Sequence, residues 1–277
     1  MMTITAQDVN KLRKQTGAGM MDCKNALVET NGDFEAAIDV LRKKGQKVAA
    51  KRGDNDAKEG LVLARLTDGG KTGIVLSLNC ETDFVAMNSD YMAFVESLMT
   101  IAMEKRPTSL EAMMSEAYND RLTVAEKIIE QVGVVGEKLA LSNLEIISAD
   151  AVVAYNHPGN QLATLVALNK NSEAALDAGK QVAMQVAAMN PMALSKEGID
   201  EATIARELEV GKDLAIQEGK PAEMAEKIAQ GRLNKFFKEN TLLSQMNVRD
   251  NKQSVEQMLA AAEAGLTIVD FKRVALS

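Results

Sequence analysis

The hydrophobic period of this 277-residue chain changes once, near Leu61, and that change sets its fold class. Before it, apolar residues recur at helical spacing. "TAQDVNKLRKQ" carries Val9 and Leu12 on one face, and "MDCKNALVET" carries Cys23, Ala26 and Leu27. "FEAAIDVLRKK" carries Phe34, Ala37, Ile38 and Leu41 at i, i+3, i+4 and i+7, with Asp33 placed to cap it. The breaks "TGAG" and "NGD" are turn chemistry. The first 44 residues therefore read as a compact three-helix unit, and "GQKVAAKRGDNDAKEG" as a linker that starts helical. From Leu61 onward, "LVLARLTDGGKTGIVLSLNC" reads as two strands joined at "TDGGK", a hairpin signal.

Helices and strands then alternate in blocks. "NSDYMAFVESLMTIAMEK" is a helix capped by Asn88 or Ser89, and "RLTVAEKIIEQVG" is another. "KLALSNLEII", "AVVAYNH" and "QLATLVALN" read as strands, with "HPGN" turning between the last two. "SEAALDAGKQVAMQVAAMN" is an amphipathic helix that stops before Pro191. Residues 200–238 read as a helical hairpin broken at "EGKP", where Gly219 ends one helix and Pro221 opens the next. "SVEQMLAAAEA" is a last helix, and "LTIVDFKRVAL" a last strand. The length accommodates two or three domains. The strand–helix pieces on either side of residue 130 leave room for two related α+β halves.

The residue inventory argues against most enzyme chemistry. One histidine, His157, excludes a multi-histidine metal site. Cys23 and Cys80 have no CxxC spacing and point to a reducing cytoplasm. No GxSxG, GxxxxGK[ST] or GxGxxG occurs. No apolar run approaches the ~20 residues that span a bilayer. Charge is uneven: residues 1–53 carry 10 Lys+Arg against 6 Asp+Glu, and the remainder 22 against 33. Most of the chain would therefore repel nucleic acid. The basic stretch at 42–52 reads as a solvated helix face rather than a nucleic-acid site. One feature needs a reason. "NCETDFVA" puts Asp83 directly before Phe84, just past a strand end, in a chain with six Phe, three Tyr and no Trp. Asp83 with Glu81 is a candidate carboxylate pair, although a turn or capping acid is the commoner role.

Two segments carry a family resemblance. "LRKQTGAGMMDCKNAL" (12–27) and "LNCETDFVAMN" (78–88) resemble the two signatures of elongation factor Ts, and "YNHPGNQLATLVAL" and "GKPAEMAEKIAQGRLNKF" resemble further family segments in the right order. The resemblance covers nearly the whole chain. It implies an α+β protein with an N-terminal ubiquitin-associated-like three-helix domain, a core of two subdomains with antiparallel sheets, and an inserted helical hairpin. On this sequence the boundaries fall at 1–53, 54–140 and 141–277, with the hairpin at about 200–238.

In function the resemblance implies a guanine-nucleotide exchange factor. It would bind elongation factor Tu and promote GDP release without covalent catalysis, cofactor, metal, nucleic acid or membrane. The matched contact residues are Thr82, Asp83, Phe84 and Val85, with Met20, Met21 and Lys24 after the "TGAG" turn, His157, and the apolar–Gly pair Val132–Gly133. The family's Phe wedges into the GTPase and disturbs its magnesium and phosphate site. Each assignment has a plainer rival: core packing for one of the methionines, a turn role for His157, and a left-handed helix C-cap for Gly133. The hairpin could serve core packing, a dimer contact or a landing site on the partner, within a homodimer or a 2:2 assembly. Met87 and Ser77 depart from the family pattern, which takes a base and an acid there. Two other functions stay open on the residues alone. One is a ubiquitin-associated-like adaptor, and the other an enzyme that uses Asp83, Glu81 and His157.

Overall fold

The computed structural model describes residues 4–276. Three helices come first: α1 (Ala6–Thr16), α2 (Met20–Glu29) and α3 (Phe34–Arg52). Thr5 and Asp8 form a capping box at the start of α1, and Gly17 ends it in the left-handed region at φ 72°. Asp33 caps α3 by accepting from the Ala36 N–H at 3.0 Å. Val9, Leu12, Cys23, Ala26, Leu27 and Ala37 close a small core between the three helices.

The expected linker does start helical, but its first part, through Arg52, is the second half of α3 and packs on the next domain; only residues 53–58 connect it to β1. The chain continues through β1 (Glu59–Thr67), β2 (Thr72–Cys80), α4 (Asp83–Ala86), α5 (Ser89–Lys105), α6 (Leu110–Ser115), α7 (Val124–Val135) and β3 (Ala140–Ser148). Gly45 of α3 meets Gly133 of α7 almost backbone to backbone. A Cβ on Gly45 would lie 2.9 Å from the Ile129 carbonyl oxygen, and one on Gly133 would lie 2.7 Å from the Gly45 Cα. Val48 and Ala49 lean on the core below. The basic stretch is therefore only partly solvated. Arg42 reaches Glu126 at 3.4 Å and Arg52 reaches Glu81 at 2.8 Å, while Lys43, Lys47 and Lys51 stay exposed.

The second half contains β4 (Ala151–Asn156), β5 (Leu162–Leu168), α8 (Glu173–Met189), α9 (Glu201–Gln217), α10 (Ala222–Asn240), α11 (Val255–Ala262) and β6 (Ile268–Ala275). The halves share one plan. In each, two hairpin strands are followed by helices and then by a third strand antiparallel to the second, giving sheets ordered β1-β2-β3 and β4-β5-β6. The repeat breaks at Ala149–Asp150. The first sheet runs through Ser148, so a boundary at 140/141 would cut β3 from its partner β2.

The two sheets pack face to face through Val62, Ala64, Val75, Ile147, Val152 and Leu165. Gly73 lets them close, since a Cβ there would lie 2.7 Å from Val152 Cγ1. On the outer face of the first sheet, Ile74, Leu76 and Leu78 pack against Tyr91, Val95, Leu98, Ile128 and Val132. On the outer face of the second, Val153, Val166 and Leu168 pack against Val182, Val186 and Leu259. The result is helices, sheet, sheet, helices. The hairpin α9–α10 turns at Gly219 (φ 76°) and Pro221 and closes along Gly211, Ala215, Ala225, Ala229 and Leu233. No helix among the described residues is long and apolar enough to cross a membrane.

Two outcomes test how the three-helix unit docks. Gly45→Val should force α3 off α7, costing about 1–3 kcal/mol, the usual penalty for overpacking. The measurement is the urea midpoint, together with tryptic cleavage near Arg52. The second concerns Glu81, whose side chain is largely buried. Burial raises its pKa, but bonds from the Lys138 N–H, Asn55 and Arg52 outweigh that and hold the carboxyl below its ordinary value. A depressed carboxylate contributes stability above its unfolded pKa of about 4.3 and loses it as pH falls through the folded value. The gap in urea midpoint between the native chain and Glu81→Gln should therefore be full at neutral pH and should close below about pH 4.

Candidate partner-binding face

Strand β2 ends at Cys80, and a bend at Glu81 and an extended Thr82 lead into the four-residue helix α4. Thr82 caps it, its hydroxyl oxygen accepting from the Val85 N–H at 3.4 Å. A single helical turn has no stability of its own in water. The pose of α4 is therefore imposed from outside. Glu137 accepts the Thr82 hydroxyl at 2.7 Å and the Thr82 N–H at 3.0 Å with its two carboxylate oxygens. The Cys80 thiol donates to the Thr82 carbonyl at 3.2 Å. Ala86 is buried and Val85 leans on the first core. Asp83 and Met87 face solvent, and Phe84 is 81% exposed. Phe84 is the only fully exposed Phe or Tyr among the described residues. It is neither core packing nor an accident of a loose loop, because the turn that carries it is tied down.

The other singled-out residues divide between surface and interior. Met20, Met21 and Lys24 are all exposed on α2. The turn before them abuts the end of α7, since a Cβ on Gly17 would lie 3.8 Å from Val134 Cγ1. From Val134 the chain runs through Val135 and Gly136 to Glu137, which holds Thr82. The start of α2, the end of α7 and α4 are thus contiguous. Val132 is only 3% exposed and packs in the first core. Gly133 lies inside α7 against Gly45 and is not a C-cap; the cap is Gly136, left-handed at φ 80°. A Cβ on Gly136 would meet nothing within 4 Å, although the residue itself is partly buried. The segment's other apolar–Gly pair is Val135–Gly136 at the helix end, where Val135 leans on the first core and both residues are partly buried. "VGVVGEK" contains both pairs, and sequence alone does not say which glycine ends the helix.

His157 is exposed in the β4–β5 turn, and Tyr155 sets its orientation. The Tyr155 hydroxyl lies 2.9 Å from His157 Nδ1, with the rings edge-on at 5.9 Å. The turn folds over the start of β1: the Val62 N–H donates to the Asn160 carbonyl at 2.7 Å, and Asn156 bonds both backbone groups of Ala64. Glu59 at the head of β1 pairs with Cys80, three residues before Asp83. His157 and Phe84 therefore lie at the same end of the stacked sheets.

These contacts do not make an acid–base site. Glu81 is engaged by Arg52, Asn55 and the Lys138 N–H, and His157 by Tyr155, so no hydrogen bond joins Asp83, Glu81 and His157. Burial pushes the Cys80 thiol up to about 11 and also raises Cys23, which keeps both protonated at neutral pH. What the face offers is an exposed ring beside an acid, two exposed methionines and a lysine. That is the composition of a protein-docking surface.

Comparison with known proteins agrees with the signatures. A family model described as "Elongation factor TS" matches residues 81–277. Elongation factor Ts of Christiangramia forsetii is 49% identical over 276 residues, covering 100% of both chains. That of Amoebophilus asiaticus is 50% identical over 274 residues, covering 99% of each. That of Clostridium kluyveri is 43% identical over 262 residues, covering 92% of this chain and 86% of its own. The chain belongs to the elongation factor Ts family.

Proposed function

We propose that this chain is a cytoplasmic guanine-nucleotide exchange factor that binds elongation factor Tu and promotes GDP release during translation elongation, without covalent chemistry or a cofactor. The observation that carries the reading is the bare Phe84 ring on a clamped turn, beside Asp83. Fully burying a Phe side chain is worth about 1.5–3 kcal/mol. If that burial is available only when the partner's nucleotide site has loosened, it converts into a nucleotide affinity about 10- to 100-fold weaker. Coupling is reciprocal, so GDP must weaken binding of the factor by the same ratio, and incoming GTP then releases it.

In this reading Asp83, Phe84, Met20, Met21, Lys24 and His157 touch the GTPase. Thr82 and Val85 hold α4 in place. Val135–Gly136 takes the surface role first expected of Val132–Gly133, with Val132 supporting it from the core. The three-helix unit is a ubiquitin-associated-like docking module held to the core by α3. The hairpin's exposed Val210, Leu214 and Met224 suit a second contact, with another copy of the chain or a second GTPase.

The test is release of fluorescent GDP from elongation factor Tu in excess unlabelled nucleotide, with catalytic amounts of this chain. Fast release is expected, and Phe84→Ala should slow it by about 10- to 100-fold with an unchanged melting temperature, because an exposed ring adds little to stability. No acceleration by the native chain, with a GTPase from the same source, would overturn the reading in favour of an adaptor without exchange activity.

A further inference from the structure

We propose that Glu137 is a positioning residue for exchange: its carboxylate holds the Phe84 turn in its presenting pose before the partner arrives. The inference rests on the exchange reading above and adds to it a residue that touches neither the partner nor the nucleotide. Helix α4 is too short to persist alone. Its cap, Thr82, has three polar groups that set the turn: an N–H, a hydroxyl and a carbonyl. Glu137 takes the first two, one on each carboxylate oxygen, at 3.0 and 2.7 Å. With its hydrogen committed to Glu137, the Thr82 hydroxyl points a lone pair at the Val85 N–H, at 3.4 Å. One carboxylate thus fixes both the backbone and the hydroxyl rotamer of the cap.

The clamp is reciprocal. The Thr82 N–H bonds the Glu137 carboxylate, and the neighbouring Lys138 N–H bonds the Glu81 carboxylate at 2.6 Å. Residues 81–82 and 137–138 therefore interlock, each segment giving a backbone N–H to the other's acid. Gly136, left-handed at φ 80°, reverses the chain after α7 into this interlock. The result is that a feature of the α7 end determines where a ring four residues past β2 stands.

Preorganisation raises the productive fraction of docked complexes rather than the strength of docking, since α2 and His157 stay in place. The experiment measures GDP release against concentration of this chain, separating the maximal rate from the half-maximal concentration. Glu137→Gln keeps the size but leaves one acceptor oxygen for the two Thr82 donors, so the hydroxyl hydrogen loses its partner and the rotamer of the cap is no longer fixed. It should lower the maximal rate by about tenfold and change the half-maximal concentration by less than about twofold. Thr82→Val should match it, Thr82→Ser should restore near-native release, and the double variant Glu137→Gln/Thr82→Val should be no worse than either single change.

A merely structural effect would lower the folded fraction, raise the half-maximal concentration and leave the maximal rate alone; that result overturns the proposal. So does a double variant whose loss is the product of the two singles. Fluorine NMR of the chain labelled with 4-fluorophenylalanine, with the Phe84 signal identified by Phe84→Ala, supplies a second test without the GTPase. The Phe84 signal should shift or broaden in Glu137→Gln, and an unchanged signal overturns the clamp. If the native chain promotes no release at all, the exchange reading fails, while this spectrum still decides whether Glu137 positions the ring.

Discussion

Strand β2 is buried along its whole length, and the architecture follows from covering it on both faces. Its alternate residues divide the work. Ile74, Leu76 and Leu78 meet the helices, while Gly73 and Val75 meet the second sheet. A strand with period 2 can serve two cores only if both layers approach closely, and a side chain at position 73 would hold the sheets apart. The continuous apolar run "GIVLSL" is the mark of that double cover. A half-solvated strand would alternate with polar residues. Because β2 is central and buried throughout, the point where it ends, at Cys80, is a firm base from which α4 projects.

Firmness at that base is what makes an exposed phenylalanine useful. A ring on a mobile loop would lose entropy on docking, or would fold back onto Met87 and use up its apolar surface within the free protein. Thr82 is held by Glu137 and Cys80 instead, and Ala86 is sunk in the core. The Phe84 ring is left with water as its neighbour and little freedom to find another. Tyr155 acts on His157 in the same manner: a partly buried tyrosine orients an exposed imidazole through its hydroxyl. In both cases the exposed group is steadied, directly or through its neighbour, by a residue that is itself partly buried.

Much of this was legible in sequence because it rests on local periodicity and capping. Every helix and strand expected from spacing is present, Asp33 and Asn88 cap as their positions suggest, and the hairpin turns at Gly219 and Pro221. What was not legible depends on contacts between distant segments. "GQKVAAKRG" is polar and basic enough to read as a linker, yet Gly45 within it is buried because Gly133, far along the chain, needs a partner without a side chain. The same contact explains why Gly133 can read as a helix end in sequence: a glycine late in a helix fits a C-cap until its neighbour across the crossing is known. Likewise β3 falls in the first half because it pairs with β2, a fact of register that no window of residues near 140 contains. Glu137 had no local signal at all, since its role lies in a bond to a residue 55 positions earlier.

These long-range contacts converge on one helix. Helix α7 packs α3 through Gly133, places Val132 in the first core, reaches the α2 turn through Val134 and ends in the Gly136–Glu137 turn that grips Thr82. The three-helix unit and the Phe84 turn are therefore not independent modules that share a chain. Both are referenced to the same twelve-residue helix, so the spacing between Met20–Met21 and Phe84 is set by a rigid element rather than by a linker. The proposed exchange function requires that. Docking energy gathered at one point can strain a partner at another only if the distance between the two points is fixed in the free protein. The close glycine crossing within α7 and the carboxylate clamp just past its end are the two contacts that keep that distance from relaxing.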